Sequence, residues 1–201
     1  SNANYAWLQH ILWKLKPSGS AGIVLANGSM SSTSSGEDKI RFEMIKNDKV
    51  EVMVVLPGQL FINTQIPCCL WFLTNDKTKN GKDRRGKTLF IDARNLGVME
   101  TRTLKVFSDK DIKKLKDTVM NWRNGNNYQN LDGYCKSVNL EEIKQNKYVL
   151  HPGRYVGFLE EKEDEVPFDL KINNLKKELN DLQETSNSLD EEIKKNLNNL
   201  L

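Results

Sequence analysis

Ala21-Gly22-Ile23-Val24-Leu25-Ala26 and Val50-Glu51-Val52-Met53-Val54-Val55-Leu56 are two nearly unbroken apolar runs, and what joins them decides the fold. Apolar runs without polar alternation read as strands buried on both faces, the kind from which parallel sheets are built. Between them lie a Ser-rich loop, Asn27 to Gly36, and a helical stretch from Glu37 to about Asn47. Before them, Trp7, Leu8, Ile11, Leu12 and Leu15 fall at helical spacing and end at Lys16-Pro17-Ser18-Gly19. The chain thus opens helix-strand-helix-strand, the rhythm of an open α/β sheet. In such sheets ligands bind beyond the carboxyl ends of parallel strands, which puts Asn27, Gly28 and Ser29, with Pro57-Gly58, on the expected functional edge. Asn-Gly and Pro-Gly are also plain turn chemistry, and residue type leaves both readings open.

The rhythm then changes. Ile66 to Leu73 and Lys87 to Ala93 are strand-like but separated only by the polar loop Thr74 to Gly86, too short for a crossover helix, so an antiparallel pair is expected. Ser108 and Asp111 stand in capping-box spacing before Ile112, Leu115, Val119 and Trp122, and Asn139 with Glu142 marks a shorter helix. Four segments follow: residues 1–3, which read as an expression-tag remnant; 4–107, the α/β part; 108–165, a helical extension; and 166–201, a helical tail, with Pro167 marking the junction. The helix that begins at once after the tag, with no first strand before it, gives the chain the look of a piece cut from something longer.

The 201 residues carry 30 Lys+Arg against 27 Asp+Glu, with 38% hydrophobic and 28% charged residues, which excludes collagen-like and disordered chains. Residues 160–201 hold 12 acids and 6 bases, leaving 24 bases and 15 acids in the rest: a basic body with an acidic tail. The longest nearly apolar run, Ile66 to Leu73, is far short of the roughly 20 residues that span a membrane. Adjacent Cys68 and Cys69 with a solitary Cys135 make no disulfide framework. A soluble, cytoplasmic protein with no membrane association is expected.

Several chemistries have no residues to carry them. No glycine pattern follows a strand as GxGxxG, and no GxxxxGK[ST] occurs, so no phosphate cradle of those kinds is visible. The only histidines, His10 and His151, lie far apart and no CxxC or HExxH spacing exists, so no metal site is expected. The cluster Ser29-Met30-Ser31-Ser32 has no GxSxG geometry. What stands out is charge: Lys77, Lys79, Lys82, Arg84, Arg85 and Lys87 are offset only by Asp83, and six cations on one loop suit DNA phosphates, although a merely solvated loop would read the same. In the tail, Ile172, Leu175, Leu179, Leu182, Leu189 and Ile193 follow a 3-4-3 rhythm interrupted at Ser186 and continued by Leu197 and Leu200. That is a coiled-coil seam, to be buried on a partner helix or on the chain's own body.

Longer stretches point further. Asn4-Tyr5-Ala6-Trp7-Leu8-Gln9-His10, Ala21 to Ser29, Asn63-Thr64-Gln65-Ile66-Pro67, Arg85-Gly86-Lys87 with Phe90-Ile91-Asp92-Ala93-Arg94, and Pro152-Gly153-Arg154-Tyr155-Val156-Gly157 occur in one collinear series from Asn4 to about Gly157. That series resembles the modification (M) subunit of type I restriction-modification systems, an adenine-specific DNA methyltransferase. The resemblance implies the second half of a Rossmann-like sheet, with S-adenosylmethionine as methyl donor and a flipped-out adenine as acceptor. It also implies that the Gly-rich cofactor motif and the Asn-Pro-Pro-aromatic catalytic motif lie upstream of the segment matching Asn4, leaving no cofactor-binding residue in this chain and an isolated fragment inactive. Phe61 matches the aromatic that stacks on the target base, where the family often has a second ring and this chain has Ile62; Asn27, Gly28 and Ser29 would border the same cleft. The implied partners are DNA, a specificity (S) subunit, whose helical spacers suit the tail heptads, a restriction (R) subunit and a second M subunit. A non-catalytic assembly or DNA-binding module from a split or truncated gene is the alternative.

Overall fold

A computed structural model of the chain describes residues 3–79, 82–158 and 168–198. In chain order the elements are α1 (Asn4–Lys14), β1 (Ser20–Ala26), α2 (Glu37–Lys46), β2 (Val50–Val55), β3 (Cys68–Thr74), β4 (Lys87–Asp92), β5 (Val98–Met99), β6 (Lys105–Val106), α3 (Asp109–Asn124), β7 (Cys135–Asn139), α4 (Leu140–Gln145) and α5 (Phe168–Asn198). The main sheet has the order β1-β3-β2-β4-β7, and β5 pairs with β6.

All six residues of β2 are buried. Its neighbours run in opposite senses: β3 is antiparallel, with Met53 opposite Trp71, and β4 is parallel, with Met53 opposite Phe90. The side chains alternate across the sheet with the strand period of two. Met53 and Val55 face one layer, with Tyr5 and Leu8 of α1, Met44 and Ile45 of α2 and Ile143 of α4. Val52 and Val54 face the other, with Leu115, Val119 and Trp122 of α3. The result is a three-layer α/β/α body.

Two expectations about the strands are corrected. The run at residues 21–26 is not buried on both faces and has no parallel neighbour: β1 pairs with β3 alone among the described residues, antiparallel, and its burial alternates. Ile23 and Leu25 pack into the core while Val24 is 48% exposed, so small residues on the outer face gave an edge strand the look of a central one. Likewise β3 and β4 run antiparallel but do not touch, because β2 lies between them and offers its apolar faces to both. The loop after Thr74 therefore steps over the amino end of β2, and β3 begins at Cys68 rather than Ile66.

The helix starts have local causes. The Ser108 side chain accepts from the backbone N–H of Asp111, while the Asp111 carboxylate accepts from that of Ser108 at 3.0 Å. Asn139 Oδ1 accepts from Glu142 N at 2.9 Å. Residues 108–165 are not uniformly helical, because β7 lies inside them and closes the sheet against β4. The three cysteines are unpaired and buried, and no helix among the described residues is long and apolar enough to cross a membrane.

The chain divides into two compact units, Ser1–Leu159 and Glu160–Leu201. In the second, α5 is a 31-residue helix without a buried residue, about 46 Å long at 1.5 Å per residue. The junction expected at Pro167 falls outside the described residues.

Candidate functional site: the carboxyl edge of the sheet

Because β1 and β2 are both antiparallel to β3, and β2 is parallel to β4, the carboxyl ends of β1, β2 and β4 share one edge. Cys68, at the start of β3, pairs with Ala26 on one side, and on the other its carbonyl accepts from Leu56 N at 2.8 Å. The loops that follow β1 and β2 therefore flank a single strand end.

After β1, residues Asn27–Met30 make one 3-10 turn. Ser29 is fully buried: its carbonyl accepts from Tyr5 Oη at 2.6 Å and its hydroxyl from Trp71 Nε1 at 3.1 Å. Arg41, itself 2% exposed, donates to Tyr5 Oη and to the carbonyls of Ser32 and Tyr148. Burial raises the Tyr5 phenol above its ordinary pKa, with Arg41 pulling the other way. Ser29 is thus an anchor of the turn, held from α1 and β3, with Arg41 of α2 bracing Tyr5 behind it. Gly28 is exposed, and a Cβ there would meet nothing within 4 Å. Asn27 Oδ1 is buried with no hydrogen-bond partner among the described residues.

After β2, residues 56–67 double back on themselves. A Cβ on Gly58 would stand 2.6 Å from the Gln65 carbonyl oxygen, so only glycine fits this close approach. Phe61 and Thr64 form a bridge, and Gln59 accepts from Lys105 N of β6 at 2.8 Å, which docks the loop on the β5-β6 hairpin. The loop presents Phe61 at 44% exposure beside exposed Ile62 and Ile66.

Sequence reasoning missed a basic group on the same edge. Arg94, just past β4, clamps Asp92 with Nε at 2.9 Å and Nη2 at 2.6 Å, and its side chain stays 53% exposed. Leu150 N donates to the Met30 carbonyl, bringing residues 150–154 to this edge. His151 Nδ1 accepts from Gly153 N at 3.2 Å, and a Cβ on Gly153 would lie 3.3 Å from both Arg94 Nη2 and the His151 ring. Burial first, then the charge of Arg94, holds the His151 imidazole below its ordinary pKa, which leaves it neutral at pH 7. Arg154 is exposed and makes no ion pair among the described residues. The signal was present in Asp92-Ala93-Arg94 and Pro152-Gly153-Arg154, but nothing local joined the two motifs.

The Lys77 to Lys87 loop lies at the opposite, amino edge, about 20 Å away along six residues of β2. Nor are its six cations all exposed. Lys77 is 4% exposed and donates to Asp48 at 2.5 Å and to the Lys87 carbonyl at 2.6 Å, and burial lowers its pKa against the raising pull of Asp48. Arg84 is 2% exposed, with Nη1 on the carbonyls of Lys79, Lys82 and Arg123 and Nη2 3.4 Å from Glu51. Lys79, Lys82, Arg85 and Lys87 remain exposed. Half-buried Asp48 thus claims the charge of Lys77, and three carbonyls with buried Glu51 claim that of Arg84. Along α5, Leu175, Leu179, Leu182, Leu189 and Ile193 are all more than half exposed and Ile172 is half-buried, so the stripe is an exposed apolar face of the helix. No group of three His, Cys, Asp or Glu among the described residues could hold a metal ion.

Residues 1–164 match the N-6 DNA Methylase family. The type I restriction enzyme HindI methylase subunit of Haemophilus influenzae is 49% identical over 99% of this chain, which covers 44% of that protein. The MjaIX methylase subunit of Methanocaldococcus jannaschii is 36% identical over 99% of this chain and 35% of its own length. The crystal structure of a type I restriction-modification system methyltransferase subunit from Streptococcus thermophilus superposes with a TM-score of 0.67 at 27% identity, over 78% of this chain and 31% of that one. The chain thus spans less than half the length of the curated relatives it matches.

Proposed function

The chain belongs to the N-6 DNA methylase family, and from that premise we propose that it is part of a type I modification subunit that methylates the exocyclic amine of adenine in DNA. The observation that carries this reading is a half-exposed aromatic ring, Phe61, on a loop pinned at both ends at the carboxyl edge, where open α/β sheets receive ligands. The amine of a paired adenine is out of reach of such an edge, so the base must leave the stack, and a ring at Phe61 replaces part of the stacking it loses. Ser29 fixes the neighbouring turn, with Asn27 and Gly28 at the lip of the cleft. Arg94, pre-oriented by Asp92, and Arg154 supply positive charge for the phosphates next to the extruded nucleotide.

S-adenosylmethionine, when bound, supplies the methyl group. The described residues do not by themselves fit it: Gly28 faces open space and Ile62 is 90% exposed, so this edge makes one wall and no enclosure, with Asn27 Oδ1 an orphaned acceptor beside it.

The partners in this proposal are DNA, an S subunit, an R subunit and a second M subunit, and a cytoplasmic setting goes with a DNA substrate. The exposed stripe from Ile172 to Ile193 is a coiled-coil seam for the S subunit. The test is methyl transfer from labelled S-adenosylmethionine by the whole subunit assembled with its S subunit, with nucleosides identified by mass spectrometry. N6-methyladenine is the expected product; label on cytosine, or none on DNA, refutes the proposal.

A further inference from the structure

The cation-rich loop at the amino edge is not absorbed by the site above, and it closes one side of a cavity of about 390 Å³. Its floor is the end of the sheet. Lys87 and Asn139 are direct partners across β4 and β7, and Ser137, two residues before Asn139, faces the same way. Trp122 of α3 forms the wall, and Lys82 reaches in from the loop. The Lys82 stem lies across the αL glycine Gly125 that ends α3, in the space a Cβ there would take.

The hydrogen bonds already made around the cavity decide what it can hold. Ser137 Oγ already accepts from Trp122 Nε1 at 2.8 Å, so its proton is free to donate. Asn139 Oδ1 caps α4, and Asn130 Oδ1 accepts from Tyr128 Oη and Ser137 N, so each amide offers its NH2 group. Lys136 engages the Glu142 carboxylate through Oε1 at 2.7 Å, which offsets its charge. Arg84 lines the cavity with Nε buried and without a partner among the described residues. Lys82 and Lys87 add two exposed ammonium groups that make no ion pair among the described residues. Apart from the Lys136-paired carboxylate of Glu142, the lining side chains present donors or cations, so the cavity suits a compact anion with several oxygens.

We infer that this cavity is an anion site that binds a phosphate group, separate from the carboxyl edge and independent of the methyltransferase proposal. The phosphate comes from a nucleic-acid backbone or from a free phosphate ester, and the experiment separates the two. Inorganic phosphate is titrated into the full 201-residue chain at constant ionic strength, following the indole N–H resonances of its 4 tryptophans. The expected result is a saturable shift of Trp122 alone. Replacing Lys82 and Lys87 by Gln weakens it about tenfold, whereas Lys79→Gln with Arg85→Gln, which removes the same charge outside the cavity, leaves it within about twofold. A short DNA duplex that shifts Trp122 and is displaced by phosphate identifies the backbone as the source; a duplex without effect beside a saturable phosphate shift identifies a free ester. No saturable Trp122 shift, or equal weakening in both double variants, overturns the inference.

Discussion

Glu51→Gln tests whether the amino edge is fastened as the ion pairs imply. Glu51 is 2% exposed and takes Arg123 Nε at 3.1 Å and Nη2 at 2.6 Å, with Arg84 Nη2 at 3.4 Å. The amide keeps the volume but removes the one anion facing two guanidinium groups, and it turns N–H donors toward donors. Removing one partner of a buried pair costs about 3–5 kcal/mol, because the remaining charge stays buried. Two features soften the loss: Arg84 Nη1 keeps three carbonyl acceptors between 2.8 and 3.0 Å, and the Arg123 side chain is 22% exposed. The lower figure, about 3 kcal/mol, applies. For a body of this size that lowers Tm by about 6–12 °C. Thermal unfolding followed by circular dichroism, with urea midpoints as a second measure, reads it directly. A Glu51→Gln variant melting within about 2 °C of the parent refutes the claim that buried Glu51 holds the loop through Arg84 and α3 through Arg123.

Gly58→Ala forces a Cβ to within 2.6 Å of the Gln65 carbonyl, so the loop must shift, at a cost of about 1–3 kcal/mol by urea unfolding. A variant as stable as the parent rejects the close approach. Leu179→Asp with Leu182→Asp on α5 leaves the melting of the 3–158 body unchanged but abolishes co-elution with the S subunit; retained co-elution removes the tail from that interface. Because the folded pKa of His151 lies below its unfolded value near 6.5, the unfolded chain binds the extra proton first. Its stabilising contribution is full above about pH 6.5 and is lost as pH falls toward the lowered folded value. Urea midpoints between pH 5 and 8 show a shallower slope in His151→Gln, and identical slopes contradict the assignment.

What was legible in the chain was local. α1, α2 and β2 follow from apolar spacing, and the caps at Ser108 and Asn139 from side chains three residues from their targets. What failed depended on distant partners. The run at residues 21–26 hides its alternation because Gly22, Val24 and Ala26, on the outer face, are themselves small and apolar. β7, Cys-Lys-Ser-Val-Asn, buries only Cys135 and Val138 and shows no apolar run, yet it completes the sheet. The charges of Lys77 and Arg84 were counted as free because their acceptors, Asp48 and Glu51, lie 29 and 33 residues upstream. At the carboxyl edge, strand-end reasoning found the turns at Asn27 and Pro57, whereas the meeting of Arg94 with His151 and Gly153 needed the fold.

The most direct test of the central claim is methyl transfer to adenine by the whole subunit, comparing the parent with Phe61→Ala and Phe61→Trp. A stacking contribution of about 1–3 kcal/mol predicts that Phe61→Ala lowers kcat/KM by about 5- to 150-fold, while Phe61→Trp, which keeps a ring, stays within about threefold. Equal kcat/KM for the parent and Phe61→Ala would contradict the placing of the target base at this edge.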